Sequence, residues 1–239
     1  MSWTPASAGA NLLAWPIASR ASSSPISSFT DAIGNSFVGG AGGTGKPTWS
    51  ATGGPNSQPN INFLKTGLQG LTTGANVVAG IGTGDFSLGV VGRTVNITEI
   101  QAMARISSNQ LDFAIYLSTF ALYFGAWYHF SGTPVNNTWF STLLRRVSGV
   151  FELWIDGVKD ANTFTVTTTI PDYTMYVGRD PSNYFDGDIP DVAFFKGLVA
   201  PTDWFSYTTA RYLIPPPSWR FIRVGMSGGM SNMDGGISG

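Results

Sequence analysis

The chain of 239 residues carries only 11% charged residues and a formal net charge of −1, so no broad electrostatic field exists to draw in nucleic acid or an anionic membrane surface. Cysteine is absent, which removes disulfides, thiolate metal sites and cysteine nucleophiles together. With 30 Gly, 14 Pro and 13% aromatic residues, the composition favours short strands joined by turns over long amphipathic helices.

Residues 1–11 are rich in Ser, Ala and Gly and read as an N-terminal arm. No basic residue precedes the mildly apolar stretch at 10–18 and Pro16 interrupts it, so neither a secretory signal nor membrane insertion is expected. Leu12 to Trp15 reads as a short strand that Pro16 confines to a sheet edge. Residues 19–60, dominated by Ser, Gly, Thr, Pro and Asn, read as one long surface loop. Inside it, Gly39 to Lys46 imitates a phosphate-binding loop, but Pro47 stands where Ser or Thr is needed and no strand–helix context surrounds it.

Strands resume at 60–64 and at 85–95, where Phe86, Leu88 and Val90 alternate onto one face. Leu111, Phe113, Ile115 and Leu117 repeat the pattern, as do Leu122, Phe124, Ala126 and Tyr128, with a connection at Ser118-Thr119. Residues 143–169 carry the strongest local signal. Phe151, Leu153 and Ile155 share one face, Glu152 and Trp154 the other, and the turn pairs Ser148-Gly149 and Asp156-Gly157 predict two tight hairpins joining three antiparallel strands. Further strands at 174–179 and 192–195 bring the count to roughly ten, as in a jelly-roll sandwich. Residues 200–213 form the one helix candidate, capped by Thr202 or Asp203, and the prolines at 215–217 stop it. The expected architecture is an all-β, two-sheet antiparallel jelly-roll sandwich over 12–214, with one short C-terminal helix and extended terminal arms. The second of these arms is the Pro- and Gly-rich segment 215–239.

Several stretches match a known pattern in order and spacing. Leu153-Trp154-Ile155-Asp156-Gly157-Val158 reproduces a strand and turn of the type Leu-Tyr-Val-Asp-Gly, and Tyr176-Val177-Gly178 a strand ending in Ile-Gly. Phe185 to Phe194 follows Phe-x-Gly-x-Ile-Asp-Glu-Val, and a short helix comes after it. Leu13-Ala14-Trp15, Lys46-Pro47-Thr48-Trp49 and Asn60-Ile61-Asn62-Phe63 are similar to the opening of such domains in phage and bacterial surface proteins. Over about residues 12–213 the chain resembles the laminin-G-like branch of the concanavalin A-like lectin/glucanase superfamily, with Pro190 at an acidic position and Asp191 where Glu is usual.

That superfamily hosts lectins, hydrolases and structural modules alike. The resemblance implies a non-enzymatic virion structural protein of a tailed phage, a capsid decoration or tail/fibre component located in the virion, partnered by other virion proteins and by copies of itself. Trp219, Phe221, Ile222 and Val224 are the apolar anchors such assembly would bury. The alternative is a carbohydrate-binding module for host surface glycans. Glucanases of the superfamily carry Glu-x-Asp-x-x-Glu. Here only Glu99 and Glu152 exist and the second Glu of the motif is missing, so no catalytic residue is assigned. No cofactor is required. Calcium is the one candidate, at Asp180, Asp186, Asp188 and Asp191, against an ordinary turn role for these residues. Tyr116, Tyr123 and Trp127 suit an aromatic platform for sugar rings, or else the second face of a fully covered sheet. With 13% aromatic residues, packing is the preferred use. His129, the single histidine, reads as a packed or hydrogen-bonded strand residue, and Arg145-Arg146 as isolated surface charges on opposite faces.

Overall fold

The computed structural model describes residues 3–40, 45–77, 80–106, 111–180 and 182–214. In chain order its strands are β1 (Leu12–Ala14), β2 (Ser28–Thr30), β3 (Ser36–Gly39), β4 (Thr48–Ser50), β5 (Asn60–Phe63), β6 (Leu71–Thr73), β7 (Phe86–Thr94) and β8 (Gln101–Arg105). They continue with β9 (Asp112–Tyr116), β10 (Thr119–Tyr123), β11 (Trp127–His129), β12 (Phe140–Val147), β13 (Val150–Ile155), β14 (Val158–Thr165), β15 (Tyr176–Val177) and β16 (Gly187–Lys196), and helix α1 (Pro201–Tyr212) closes the series.

The strands form two antiparallel sheets of eight strands each. The first runs β14-β13-β12-β7-β16-β5-β4, with β1 beside one end of β16; the second runs β11-β10-β9-β8-β15-β6-β3-β2. A jelly-roll sandwich results. Its main core lies between the sheets, where Phe86, Leu88 and Val90 meet Phe113, Ile115 and Leu122. Among the described residues no helix is long and apolar enough to cross a membrane.

The hairpin turns form where the sequence places them. Ser148 and Gly149 take φ of 50° and 83°, Asp156 and Gly157 take 49° and 93°, and β12, β13 and β14 pair in succession across them. These positive angles match the right-handed twist of the flanking strands.

A second core covers the outer face of the first sheet. Val91, Leu143, Ala193 and Phe195 point away from the main core and pack against Trp204, Tyr207 and Tyr212 of α1 and its end. That is why β7 and β16 are buried along nearly their whole length. Gly89 of β7 lies under the Trp204 indole, so closely that a Cβ there would stand 2.5 Å from the ring. Only glycine permits that approach.

Four expectations change. Residues 19–60 are not one loop: they contain β2, β3 and β4, which supply an edge of each sheet. Residues 5–11 form a 3-10 turn series next to β1, and Trp3 packs on Phe195 and Tyr207, so this arm lies on its own sandwich. The 122–128 alternation is broken by a turn around Gly125 (φ 76°) that separates β10 from β11. At α1 the N-cap is Ala200 and Pro201 occupies the first turn, so Thr202 and Asp203 are inside the helix.

Arg146 also departs from a surface role. It is fully buried, and its guanidinium donates to the carbonyls of Gly82, Gly84 and Thr168 beside the rings of Phe86 and Phe151. Arg145, on the opposite face, pairs with Glu152 at 3.3 Å.

Candidate functional site

Among the described residues, no helix lies over the outer face of the second sheet. Alternation sends Phe113, Ile115, Phe120 and Leu122 into the core, leaving Asp112 and Tyr116 of β9 and Tyr123 of β10 on the outside. Strand pairing then sets these residues side by side. Trp127 is in register with Tyr123, Tyr123 with Asp112, Asp112 with Arg105, and Arg105 with Tyr176, a row across five strands. Tyr116 lies beside it: its ring centroid is 4.7 Å from Trp127, and Tyr123 is 5.2 Å from Trp127 on another side. His129 touches Tyr116 edge-on at 4.9 Å and shares a hydrogen bond with Thr119 Oγ1 at 3.2 Å.

Beside this aromatic group lies an open cleft of about 240 Å³, lined by Arg105, Asp112, Tyr123, Trp127, Ser182 and Asn183 together with Asp180. Asp180 builds the rim. Its carboxylate accepts from the backbone amides of Ser182 and Asn183 at 2.6 Å each and from Asn183 Nδ2 at 2.8 Å. At the floor, Asp112 is 5% exposed, and its Oδ1 stands 3.4 Å from Arg105 Nε without hydrogen-bond geometry among the described residues. Burial pushes the Asp112 carboxyl up to about 7; the Arg105 charge pulls it down and the Asp180 charge adds to the rise. A smaller cleft of about 60 Å³ continues from Arg105 and Asp180 to Tyr173, Tyr176 and Arg179.

Tyr116, Tyr123 and Trp127 therefore share one face and one cluster. The four aspartates proposed for calcium do not share a site. Asp180 is the loop organiser just described. Asp188 is paired with Arg93, whose Nε donates at 2.9 Å, and accepts from Asn62 at 3.0 Å. Asp191 is fully buried under α1, where Trp15 Nε1 donates at 2.8 Å and Tyr212 at 3.0 Å, with Tyr207 bonded as well. Burial pushes its carboxyl up to about 6, against the lowering effect of those hydrogen bonds and of Arg211. Asp186 contributes backbone groups, its amide donating to Gln101 Oε1 at 3.0 Å. Among the described residues no three His, Cys, Asp or Glu side chains gather as a metal site. The anchor residues Trp219, Phe221, Ile222 and Val224 lie outside the described residues.

Both glutamates are held in ion pairs. Glu99 is paired with Lys65, and Glu152 with Lys159 and Arg145. Burial works against the Glu152 charge, yet the hydrogen bonds from Lys159 and Trp154 and the nearby cations hold its carboxyl below the usual range.

The residues missed in the sequence are Asp112, Arg105 and Tyr176. Asp112 carried a usable signal, since it shares outward parity with Tyr116. Arg105 carried none. A register shift between Ala102 and Ala104 reverses the alternation within β8, so that Arg105 emerges on the face that strict period two denies it.

No family model matches the chain, and no curated protein matches its sequence. Solved structures do match. Domain 4 of an extracellular arabinanase from Geobacillus stearothermophilus, in complex with arabinotriose, aligns with a TM-score of 0.63 at 12% identity, over 82% of this chain and 97% of that one. A botulinum neurotoxin type C structure, described by its interaction with two ganglioside molecules, aligns with a TM-score of 0.63 at 11% identity, over 87% of this chain and 53% of that one. The binding domain of botulinum neurotoxin DC in complex with SialylT aligns at 0.61 and 10% identity, over 85% of this chain and 52% of that one. The chain thus spans nearly all of the arabinanase domain and about half of each toxin chain. At such identities the likeness shows the fold, a jelly-roll β-sandwich, and does not single out the laminin-G-like branch.

Proposed function

We propose that this chain is a carbohydrate-binding domain that holds a glycan on the uncovered face of its second sheet. The observation that carries this is the Trp127, Tyr116 and Tyr123 cluster beside a cleft of hydrogen-bonding side chains. Aromatic faces take the apolar face of a sugar ring, and carboxylate, amide and guanidinium groups take its hydroxyls. The arabinanase domain and the toxin structures, named with an arabino-oligosaccharide, gangliosides and a sialylated ligand, support the same reading for a shared fold. The engagement of both glutamates in ion pairs supports binding without hydrolysis.

The experiment is a glycan array followed by titration calorimetry with the hits, on the wild type and on Trp127→Ala. Binding is expected for the wild type and a loss of about tenfold or more for the variant. An array without hits overturns the proposal.

A second reading, attachment to a virion or other large assembly, is favoured by one feature. An open apolar groove of about 660 Å³ runs along α1, lined by Trp154, Pro201, Phe205 and Ala210 among others. In this reading Trp219, Phe221, Ile222 and Val224 are the apolar groups buried on association, with copies of the chain or other virion proteins as partners. Light scattering on the full chain and on a chain ending at Ile214 tests it: an oligomer that becomes a folded monomer on truncation supports attachment, and two identical monomers count against self-association through this segment.

A further inference from the structure

We infer that the site is a two-ended cleft for a linear, neutral oligosaccharide of about four sugar units, with a second stacking subsite at Tyr176, Tyr173 and Tyr184. This rests on the carbohydrate-binding reading and extends it to a substrate class and to residues outside the Trp127 cluster.

The geometry comes from the register row. Trp127, Tyr123, Asp112, Arg105 and Tyr176 are consecutive cross-strand partners on β11, β10, β9, β8 and β15. Adjacent strands stand about 4.8 Å apart, so the four steps from Trp127 to Tyr176 span about 19 Å. One sugar unit is about as long as one such step, which makes the row a ruler for about four units. The two clefts along it adjoin, with Arg105 and Asp180 lining both.

Both ends of the row are aromatic. At the near end stand Trp127, Tyr123 and Tyr116. At the far end Tyr176 has Tyr173 at 6.5 Å, and Arg179 stacks over the rings of Tyr176 and Tyr184 at 5.4 Å and 5.7 Å. Tyr173, Tyr176 and Tyr184 are each only half-buried. A guanidinium lying on a tyrosine face restrains the ring, so the far platform is preset.

The middle of the row is polar, and its charges are matched. Arg105 faces Asp112, Arg179 lies on tyrosine rings, and Asp180 supplies a second carboxylate. Both arginines are engaged, so no surplus cation waits for a carboxylate or sulfate. Asp112 Oδ1 is buried against Arg105, and the Ser182 hydroxyl and Asn183 amide, which line the cleft and are more exposed, are the groups that suit sugar hydroxyls. These features together suit a neutral glycan with hydroxyls along its length and exclude one that needs salt bridges.

The test is calorimetry on the full chain with linear arabino-, xylo-, cello- and manno-oligosaccharides of two to six units, with a sialylated trisaccharide in parallel. In the series that binds, affinity is expected to climb from two units to four and then level off. Tyr176→Ala should lower affinity for the tetramer and hexamer by about tenfold while leaving the dimer unchanged, and Tyr176→Phe should restore it. Trp127→Ala should weaken every length. An unchanged thermal midpoint in the Tyr176 variants shows that the fold is intact. Length-independent affinity, or a hexamer that ignores Tyr176→Ala, overturns the two-ended cleft while the carbohydrate reading stands. Tighter binding of the sialylated probe overturns the neutral class. Failure of every probe overturns both.

Discussion

The two outer faces of this sandwich use the same residue types for opposite ends. On the first sheet, Asp191 lies beneath α1, whose Trp204, Tyr207 and Tyr212 face the strands; Trp15, Tyr207 and Tyr212 donate to Asp191, and Trp204 donates to Ser141. On the second sheet, Trp127, Tyr116 and Tyr123 have no helix over them among the described residues, and Asp112 and Arg105 lie almost fully buried at the floor of a cleft. What separates packing from a site here is the covering layer. A tryptophan that a helix presses onto a sheet contributes to stability, and one beside an open cleft has a ring face that packing does not use.

The contrast predicts which substitutions affect which property. Trp204→Ala removes a fully buried indole and its bond to Ser141 Oγ. It should cost about 3–5 kcal/mol in denaturant unfolding, while glycan affinity measured on the remaining folded protein stays at the wild-type value. Asp191→Ala strands the donors of Trp15, Tyr207 and Tyr212 under the helix, and a loss of about 2–4 kcal/mol is expected by the same assay.

Acidity sharpens the comparison, because each face holds one buried carboxyl with a raised pKa, Asp112 at about 7 and Asp191 at about 6. A carboxyl raised in the folded state binds protons there that the unfolded chain has released, so stability falls as pH rises from the unfolded value toward the folded one. Between pH 5 and pH 8 unfolding free energy should therefore drop by roughly 4 kcal/mol, and Asp112→Asn should flatten the upper part of that slope. A profile that rises over this interval would show that neither carboxyl is held protonated. The Glu152 carboxyl, shifted the other way, acts only at lower pH.

Smaller effects close the series. Gly89→Ala drives a Cβ into the Trp204 ring and should cost about 1–2 kcal/mol, more than an alanine at most strand glycines would. Trp127→Ala should change stability by less than about 1 kcal/mol, since its ring is only half-buried, yet it should remove most glycan affinity. Similar stability losses for Trp127→Ala and Trp204→Ala would break the distinction between the faces.

The sequence by itself determined the local events: the Ser148-Gly149 and Asp156-Gly157 hairpins, the inward set Phe86, Leu88 and Val90, and the helix before the prolines. These depend on backbone angles and periodicity within a few residues. The tertiary structure decided everything that depends on distant partners. Strands β2, β3 and β4 have three or four residues each in Ser- and Gly-rich surroundings and exist because β6 pairs with β3, β5 with β4, and β3 in turn with β2. A register shift in β8 placed Arg105 at the cleft, a reversal that alternation does not encode. The location of the helix, over the first sheet, decided that Val91, Leu143, Ala193 and Phe195 became a second core while Tyr116, Tyr123 and Trp127 stayed half-buried, because an outward strand residue looks the same in sequence whichever layer covers it.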